Sequence, residues 1–346
     1  MVRFDIRSAT LEELTCFIQN LGEKPFRGQQ IFEWLHKKHA VSFDEMTNLP
    51  AALRLKLAEV TAFSPVLIVE SQISTDKSTK KFLCQIENYG TIEGGKVLVE
   101  AAVMKYHHGL TACLSTQAGC RMGCDFCASA HGGLERNLTA GEIAAQYYAL
   151  TRVLGERIGN IVLMGVGEPL DNYDNVIKFI RLINHPMGAN VGARSITLST
   201  CGLVPEIYAL MEEKLQINLA ISLHAPNNQL RRRLMPIARS YDLDELIKAC
   251  KAYTTGGRRV TFEYILIDGI NDSTGCAKEL CKRLAGINCH INLIAANNVP
   301  EKGYNKSNVH TIRNFKEVLE KEGFNVTVRR EMGADISGAC GQLRNQ

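Results

Sequence analysis

The chain has 346 residues, of which 45% are hydrophobic and 22% are charged, and its formal net charge at pH 7 is +4. This composition is typical of a globular protein and excludes an intrinsically disordered chain. No apolar run approaches the ~20 residues of a membrane span, and the charged N-terminal sequence lacks the apolar core of a signal peptide. We therefore expect a cytoplasmic protein without a membrane segment.

Residues 1–62 are predicted to form a small helical module, because their apolar residues recur at helical spacing. One predicted helix carries Leu11, Leu14 and Ile18, and a second carries Ile31 and Leu35. The charged residues of the module have two interpretations, RNA contact or an ordinary solvated face. The basic residues concerned are Arg27, Lys37, Lys38, His39, Arg54 and Lys56.

Residues 63–105 are predicted to form a short antiparallel β segment that links this module to the rest of the chain. Strand-like runs occupy residues 66–69, 81–84 and 96–99. Turn signals at residues 88–90 and 94–95 separate the second run from the third.

Residues 106–346 are predicted to alternate strands with helices, which is typical of βαβ units and of a parallel sheet. Helices are expected at residues 140–154 and 174–183. Candidate strands lie at residues 110–115, 160–164, 195–199, 218–223, 261–267, 290–294 and 326–329. Such a series suits an incomplete barrel or an open doubly wound sheet, and in both folds the chemistry lies at the carboxyl ends of the strands.

The strongest chemical signal is a group of three cysteines, Cys120, Cys124 and Cys127, after the first strand of this alternation. The chain has twelve cysteines, and the cytosol would keep them reduced, so metal chemistry is favoured over a disulfide framework. A structural zinc site usually has four protein ligands. Three thiolates leave one iron of a [4Fe–4S] cluster open to a cofactor or substrate, which favours iron–sulfur chemistry over zinc.

The C-x3-C-x2-C spacing and the aromatic Phe126 resemble the radical SAM superfamily, where SAM is S-adenosylmethionine. Four further segments resemble the RlmN/Cfr family of radical SAM RNA methyltransferases. They are GEKPFR at 22–27, MGVGEPL at 164–170, ISLHAP at 221–226 and ACGQL at 339–343. The resemblance implies an α/β fold, an incomplete (β/α)6-type barrel. It also implies a [4Fe–4S] cluster bound by Cys120, Cys124 and Cys127, with SAM at the open iron.

The same resemblance implies SAM contacts from residues at the ends of strands. Gly167 and Glu168 follow the second strand and are expected to bind the methionine end of SAM, because a carboxylate accepts hydrogen bonds from an ammonium group. The other implied contacts are Ser199, Ser222, Leu223, His224 and Asn297. Without the resemblance, polar residues at such positions are interpreted as ordinary caps or turns.

The resemblance also implies a thiol that carries the transferred methyl group. Cys340 lies in a terminal segment rich in glycine and alanine and matches the methyl carrier of the family. Cys113 matches the cysteine that resolves the intermediate by forming a disulfide, and Glu100 matches the proton acceptor. Without the family, the two cysteines are interpreted as inert buried thiols, and Glu100 as an exposed strand residue.

The implied reaction is methylation of C2 of an adenosine in 23S rRNA and of the adenosine next to the anticodon in tRNAs. One alternative is Cfr-like methylation at C8 of the rRNA adenosine, and another is a zinc-stabilised RNA-binding protein. Arginines at 231–233, 258–259 and 329–330 are expected to contact RNA phosphates. We also expect a monomer that receives electrons from an external flavodoxin- or ferredoxin-type donor. The chain departs from the family pattern near the active face at Cys201, Ala295, Ala296, Ser337 and Gly338.

Overall fold

The computed structural model describes residues 3–63, 65–87, 95–297, 303–339 and 341–343. Its central element is a sheet of ten strands, parallel over one part and antiparallel over the other. The two edge strands of this sheet do not pair with each other within the described ranges, so the sheet stays open. None of the helices in these ranges is long and apolar enough to cross a membrane.

The N-terminal module is helical, as predicted, and contains a third helix in addition to the two that the periodicity indicates. Its elements are β1 (Phe4–Asp5), α1 (Leu11–Asn20), α2 (Phe26–His36), α3 (Ala51–Val60) and β2 (Thr61–Ala62). Strands β1 and β2 pair in parallel and bring the two ends of the module together. Helix α1 begins with a capping box, in which Thr10 and Glu13 satisfy each other's backbone N–H groups.

Three antiparallel strands follow, as the sequence predicts. They are β3 (Val66–Ile73), β4 (Thr79–Glu87) and β5 (Lys96–Tyr106). They do not form a separate small sheet, because β5 pairs with β6 (Gly109–Cys113) through a tight turn at residues 107–108. The antiparallel segment therefore extends the parallel sheet by three strands. Most of the predicted turn between β4 and β5, residues 88–94, lies outside the described residues.

A short antiparallel pair of strands frames the cysteine loop. It consists of β7 (Gln117–Gly119) and β8 (Leu134–Asn137), and the sequence pattern did not indicate it. The backbone N–H of Cys120 donates to the carbonyl of Gly133 at 2.8 Å. The two ends of the cysteine loop are thereby held side by side.

The parallel part of the sheet confirms the predicted alternation of strands and helices. Beyond β6, its strands are β9 (Ile158–Leu163), β10 (Ile196–Thr200), β11 (Asn218–Ser222), β12 (Val260–Leu266), β13 (Cys289–Ala295) and β14 (Asn325–Val328). The helices between them are α4 (Ala140–Leu154), α5 (Tyr173–Asn184), α6 (Val204–Glu212), α7 (Asn228–Leu234), α8 (Leu243–Thr254), α9 (Thr274–Leu284) and α10 (Val309–Lys321). The strands follow one another in chain order.

The N-terminal module docks on α4 through a buried polar interface. Arg7 is buried there, and its Nη2 donates to the carbonyl of Ala40 at 2.8 Å. Nδ1 of His36 lies 2.8 Å from the hydroxyl of Tyr148, and the ring of His39 stacks on the same tyrosine at 4.4 Å. His39 thus contributes to this interface, which argues against the predicted RNA contact for that residue.

Candidate active site

The cysteine loop lies between β7 and β8 and brings Cys120, Cys124 and Cys127 to the wall of one cavity. All three cysteines are partly exposed. Backbone hydrogen bonds hold the loop on two sides, because Asp125 N–H donates to the carbonyl of Leu234 at 2.9 Å and Ala128 N–H donates to the carbonyl of Gly341 at 2.8 Å. The loop is thus tied both to α7 and to the C-terminal segment.

Two of the loop cysteines have raised pKa values in the protein without a bound metal. Burial is the main cause that raises the pKa of Cys120 to about 12, and the neighbouring Glu168 and Cys127 contribute to this increase. Burial and the other two cysteines likewise raise the pKa of Cys124 well above its usual value. Metal coordination deprotonates a thiol outright, so these cysteines become ligands when iron supplies the missing positive charge.

The number of loop cysteines distinguishes a cluster from a closed zinc site. Within the described ranges, no three His, Cys, Asp or Glu side chains are grouped closely enough to hold one ion. Tetrahedral zinc ligands at ~2.3 Å from the metal would stand only ~3.8 Å apart. In a [4Fe–4S] cluster each thiolate binds a different iron, which requires wider spacing. Three loop cysteines are one ligand short of a closed zinc site, and they match a cluster with one open iron.

Gly167 and Glu168 follow β9 and form one wall of the same cavity. Gly167 has a φ of +105°, and a Cβ atom there would lie 2.6 Å from Cβ of Gln117, so only glycine fits. Burial raises the pKa of Glu168. Its carboxylate accepts hydrogen bonds from the backbone N–H of Leu170 at 3.0 Å and of Cys201 at 2.8 Å, which fix its orientation.

His224 follows β11 with a left-handed φ of +57°, which directs its imidazole to the cavity wall. Its Nδ1 accepts a hydrogen bond from the backbone N–H of Ile265 at 3.0 Å. Burial lowers the pKa of His224 to about 3, so the ring is neutral near pH 7 and its proton resides on Nε2. His224 can therefore donate a hydrogen bond to a ligand, and it is not a general base.

The structure brings most of the predicted SAM contacts into one cavity of about 830 Å³. The predicted residues that line it are Cys120, Cys124, Cys127, Gly167, Glu168, Ser199, Ser222 and His224. Leu223 does not line it, because this side chain is fully buried in the core. Asn297 lies in a neighbouring cavity instead.

The neighbouring cavity has a volume of about 610 Å³ and is lined by Cys113 and Asn297. Met164, Ile294 and Arg329 line both cavities and form the boundary between them. Two chemically distinct chambers, one beside the cysteine loop and one beside Cys113, thus share a wall. Ala295, one of the departures from the family pattern, also lines the Cys113 chamber.

Glu100 lies in the antiparallel part of the sheet and is buried, not exposed. Its carboxylate forms an ion pair with Lys81 at 2.9 Å, beside a small cavity of about 220 Å³. Alternate residues of a strand share a face, so Glu100 lies on the same face as Ala102, which pairs with Cys113. The sheet thereby places Glu100 on the Cys113 side.

Cys340 lies outside the described residues, but its neighbours border the two chambers. Ala339 lines the Cys113 cavity and Gly341 lines the cavity of the cysteine loop. The hydroxyl of Ser129, next to the cysteine loop, donates to the carbonyl of Leu343 at 2.6 Å. The C-terminal segment is therefore bound directly to the cysteine loop.

Sequence reasoning missed Glu263 as a site residue. Glu263 is buried in β12 and lines the cavity of the cysteine loop. Its Oε1 accepts a hydrogen bond from Asn292 at 3.0 Å, and its Oε2 lies 3.9 Å from a guanidinium nitrogen of Arg329. A single carboxylate within the apolar run VTFEYIL was the available signal.

Two arginines predicted as phosphate contacts have other positions. Arg329 faces the two chambers and Glu263, so it belongs to the site interior. Arg231 is fully buried and cannot reach an RNA phosphate. The sequence did not reveal the burial of Arg231, because three consecutive arginines on a helix of seven residues look alike. The structure shows that Arg232 and Arg233 are exposed.

Comparison with known proteins agrees with this geometry. Residues 114–276 match the radical SAM superfamily, and residues 4–63 match the ribosomal RNA large subunit methyltransferase N-terminal domain. The chain is 53% identical to the probable dual-specificity RNA methyltransferase RlmN of Alkaliphilus oremlandii, over 100% of this chain and 99% of that protein. It is 51% identical to the protein of that name from Lachnoclostridium phytofermentans, over 99% and 94% of the two chains.

A solved structure extends this agreement to the fold. A radical SAM methyltransferase from Sphaerobacter thermophilus superposes with a TM-score of 0.92 at 43% identity, covering 98% of this chain and 99% of its own. Radical SAM enzymes use a [4Fe–4S] cluster and S-adenosylmethionine, and the cavity of the cysteine loop offers residues for both. The chain belongs to the RlmN family of radical SAM methyltransferases.

Proposed function

We propose that this protein methylates C2 of an adenosine in 23S rRNA and of the adenosine next to the anticodon in tRNAs, with Cys340 as the methyl carrier. The observation that carries the proposal is the pair of adjoining chambers, one beside the cysteine loop and one beside Cys113. Residues 339 and 341, on either side of the carrier position, each border one chamber. Cys340 stands between these two residues in the sequence, which supports a carrier role that involves both chambers.

Bound SAM and the cluster supply a methyl group and a hydrogen-abstracting adenosyl radical. Cys120, Cys124 and Cys127 hold the cluster, while Gly167 and Glu168 bind the methionine end of SAM. Ser199, Ser222 and His224 line the remaining cavity wall, where His224 donates a hydrogen bond from Nε2.

On the substrate side, the sulfur of Cys340 receives the methyl group, and the carbon of that group then bonds to the adenine carbon. The Cys113 thiolate later attacks the sulfur of Cys340, which breaks the sulfur–carbon bond and releases the methylated adenine as the leaving group. The two thiols then form a disulfide, which an external thiol must reduce before the next turnover. Glu100 takes up the proton that leaves the adenine carbon. Nζ of Lys81 lies 2.9 Å from that carboxylate and fixes its position in the sheet.

The names of the similar proteins favour the RlmN reaction at C2 over the Cfr-like reaction at C8. The number of loop cysteines, three where a structural zinc site usually has four ligands, argues against the zinc-stabilised RNA-binding protein. Arg232 and Arg233, exposed on α7, remain the arginines of that run available to RNA.

The test is mass spectrometry of nucleosides from 23S rRNA and tRNA after anaerobic incubation with reconstituted protein, SAM and a reductant. We expect 2-methyladenosine from both RNAs. 8-Methyladenosine would assign the protein to the Cfr-like reaction, and an absence of methylated adenosine from iron-loaded protein would refute the substrate assignment.

Variants of the two thiols test the carrier chemistry. Cys340→Ala and Cys113→Ala are each expected to abolish product while the iron and sulfide contents stay unchanged. Cys281→Ala is the matched control for Cys113, because Cys281 is similarly buried, at 6% against 7% exposure, and lies on α9. Methylated product from Cys340→Ala would refute the carrier role.

A further inference from the structure

Arg231 on α7 is a buried cation that the catalytic scheme above does not use. Its side chain is 0% exposed. Its Nη2 donates to the carbonyl of Cys201 at 2.6 Å, and its Nη1 lies 3.5 Å from the carbonyl of Tyr241. Its Nε has no hydrogen-bond partner in the described part of the chain, and no carboxylate described there forms a salt bridge with it. A guanidinium is always charged in proteins, so this cation lacks a counter-charge.

The missing counter-charge points to the cysteine loop. Cys201, whose carbonyl accepts from Arg231, lines the same cavity as the three loop cysteines. Helix α7 also contacts the loop directly, because the carbonyl of Leu234 accepts from the N–H of Asp125 at 2.9 Å. Arg231 lies three residues before Leu234 on this short helix, so it is about one turn from the end of α7 that contacts the loop. Burial lowers the pKa of Arg231, and the thiols of Cys201 and Cys124 raise it.

A [4Fe–4S] cluster at this loop is an anion. Its three thiolates outweigh the positive charge of the oxidised core, and the electron taken up on reduction adds a further negative charge. A buried charge is tolerated when an opposite charge lies nearby. The negative charge of such a cluster would therefore balance the positive charge of Arg231.

We propose that Arg231 stabilises the reduced form of the [4Fe–4S] cluster and thereby sets its reduction potential. This inference rests on the proposed function only in requiring a cluster at Cys120, Cys124 and Cys127. One electron from the reductant enters the cluster, and no bond is made or broken. Net charge, hydrogen bonds and solvent exposure determine the potential of such clusters, and a buried cation is weakly screened. Arg231 is a positioning residue, because it acts through the cluster.

The hydrogen bond from Arg231 to Cys201 links the cluster side of the cavity to the SAM side. The backbone carbonyl of Cys201 accepts a hydrogen bond from Arg231, and the backbone N–H of Cys201 donates one to the carboxylate of Glu168. A role limited to this hydrogen bond would alter SAM binding without altering the potential. The two roles are therefore separable by experiment.

The test is a redox titration with dithionite, monitored by the electron paramagnetic resonance signal of the reduced cluster. Arg231→Met removes the charge, whereas Arg231→Lys keeps the charge and loses the planar fork. For Arg231→Met we expect the equilibrium constant for reduction to fall at least tenfold, equivalent to a 59 mV lower midpoint potential for a one-electron couple. Arg231→Lys should remain within threefold of the parent protein.

Arg232→Met is the matched control, because Arg232 is the neighbouring arginine of α7 and is exposed. It should leave the potential unchanged, since solvent and salt screen an exposed charge. Equal potentials for Arg231→Met and the parent protein would overturn the proposal, as would equal shifts for the methionine and lysine variants.

Failure of a variant to assemble the cluster is also informative, and iron and sulfide analysis reports it directly. Assembly in Arg231→Lys but not in Arg231→Met would support the proposal, because only the methionine variant loses the charge. Failure of both variants would make Arg231 a structural residue and overturn it. The nucleoside assay remains separate, since RNA specificity can fail while the cluster potential still depends on Arg231.

Discussion

The parallel and antiparallel parts of one sheet contribute different kinds of functional residue. In the parallel part, the residues lie at or just beyond the carboxyl ends of strands, as with Glu168 after β9 and His224 after β11. In the antiparallel part, Glu100 and Lys81 lie within β5 and β4 and meet across the sheet. Under the proposed function, strand ends build the cofactor side of the protein and a strand face builds the substrate side.

The buried carboxylates of the two parts also have different kinds of hydrogen-bond partner. Glu168 relies on the backbone N–H groups of Leu170 and Cys201, whereas Glu100 relies on the ammonium group of Lys81. A carboxylate held by neutral donors remains able to attract a cationic ligand. A carboxylate that forms an ion pair with lysine, as Glu100 does, is instead held in place by a charged partner within the sheet. Under the proposed function, Glu168 therefore contributes to cofactor binding and Glu100 to proton transfer.

The largest expected effect is in the antiparallel part. Glu100→Gln should lower the methylation rate by about 10²- to 10⁴-fold, the usual contribution of a general base, while the Kd for SAM stays unchanged. Glu70→Gln is the matched control, because Glu70 lines the same small cavity but is exposed. Single-turnover kinetics and equilibrium dialysis provide the two readouts. A weakened SAM affinity in Glu100→Gln would contradict the separation of the two parts.

A second prediction concerns the backbone at the end of β9. Gly167→Ala should destabilise the protein by about 2–4 kcal/mol, because its Cβ would approach Gln117 to 2.6 Å in a backbone conformation that side chains rarely adopt. Gly159→Ala within β9 is the control, since nothing lies within 4 Å of a Cβ there. Urea unfolding measures both, and equal midpoints would refute the close approach.

Sequence periodicity predicted the parallel part of the sheet well. Its strands and helices alternate, and parallel strands place their following loops at one edge, where Glu168, Ser199 and the cysteine loop lie. The cofactor roles of Glu168 and Ser199 were predicted from the family resemblance and not from the periodicity. Glu263 and Arg231 could not be assigned, because their roles depend on which strand face or helix face is buried. The pairing of Glu100 with Lys81 depends on strand register, which the sequence pattern left open.

A third prediction tests the cofactor side. Glu168→Gln should raise the Kd for SAM by about 10- to 100-fold, because a charge-assisted hydrogen bond becomes a neutral one. Iron content should not change, since the carboxylate is not a cluster ligand. Equilibrium dialysis of the reconstituted protein measures the affinity. An unchanged Kd in Glu168→Gln, or a larger loss in Glu100→Gln, would reverse the roles given to the two parts.

The smallest expected effect concerns acid stability. Burial lowers the pKa of His224 to about 3, so between pH 6.5 and 3 the unfolded chain binds a proton that the folded chain does not. Stability should fall as the pH decreases through this range, by about 1.4 kcal/mol per pH unit for this residue.

His224→Asn should reduce that slope. Asparagine tolerates a positive φ, and its carbonyl can still accept from the N–H of Ile265. His108→Asn is the control, because His108 is exposed in the turn between β5 and β6. Urea unfolding at pH 6.5 and 5.5 measures the slope, and an unchanged slope in His224→Asn would show that His224 is not responsible for it.

The hydrogen bonds between the cysteine loop and the C-terminal segment have a consequence for maturation. Ser129 and Leu343 are 214 residues apart in the chain, so the ribosome completes the cysteine loop long before residues 341–343 exist. During that interval one side of the loop lacks its covering segment. Iron and sulfide can then enter from the side that residues 341–343 later cover. The direction of translation therefore sets the order in which the cluster and its cover are assembled.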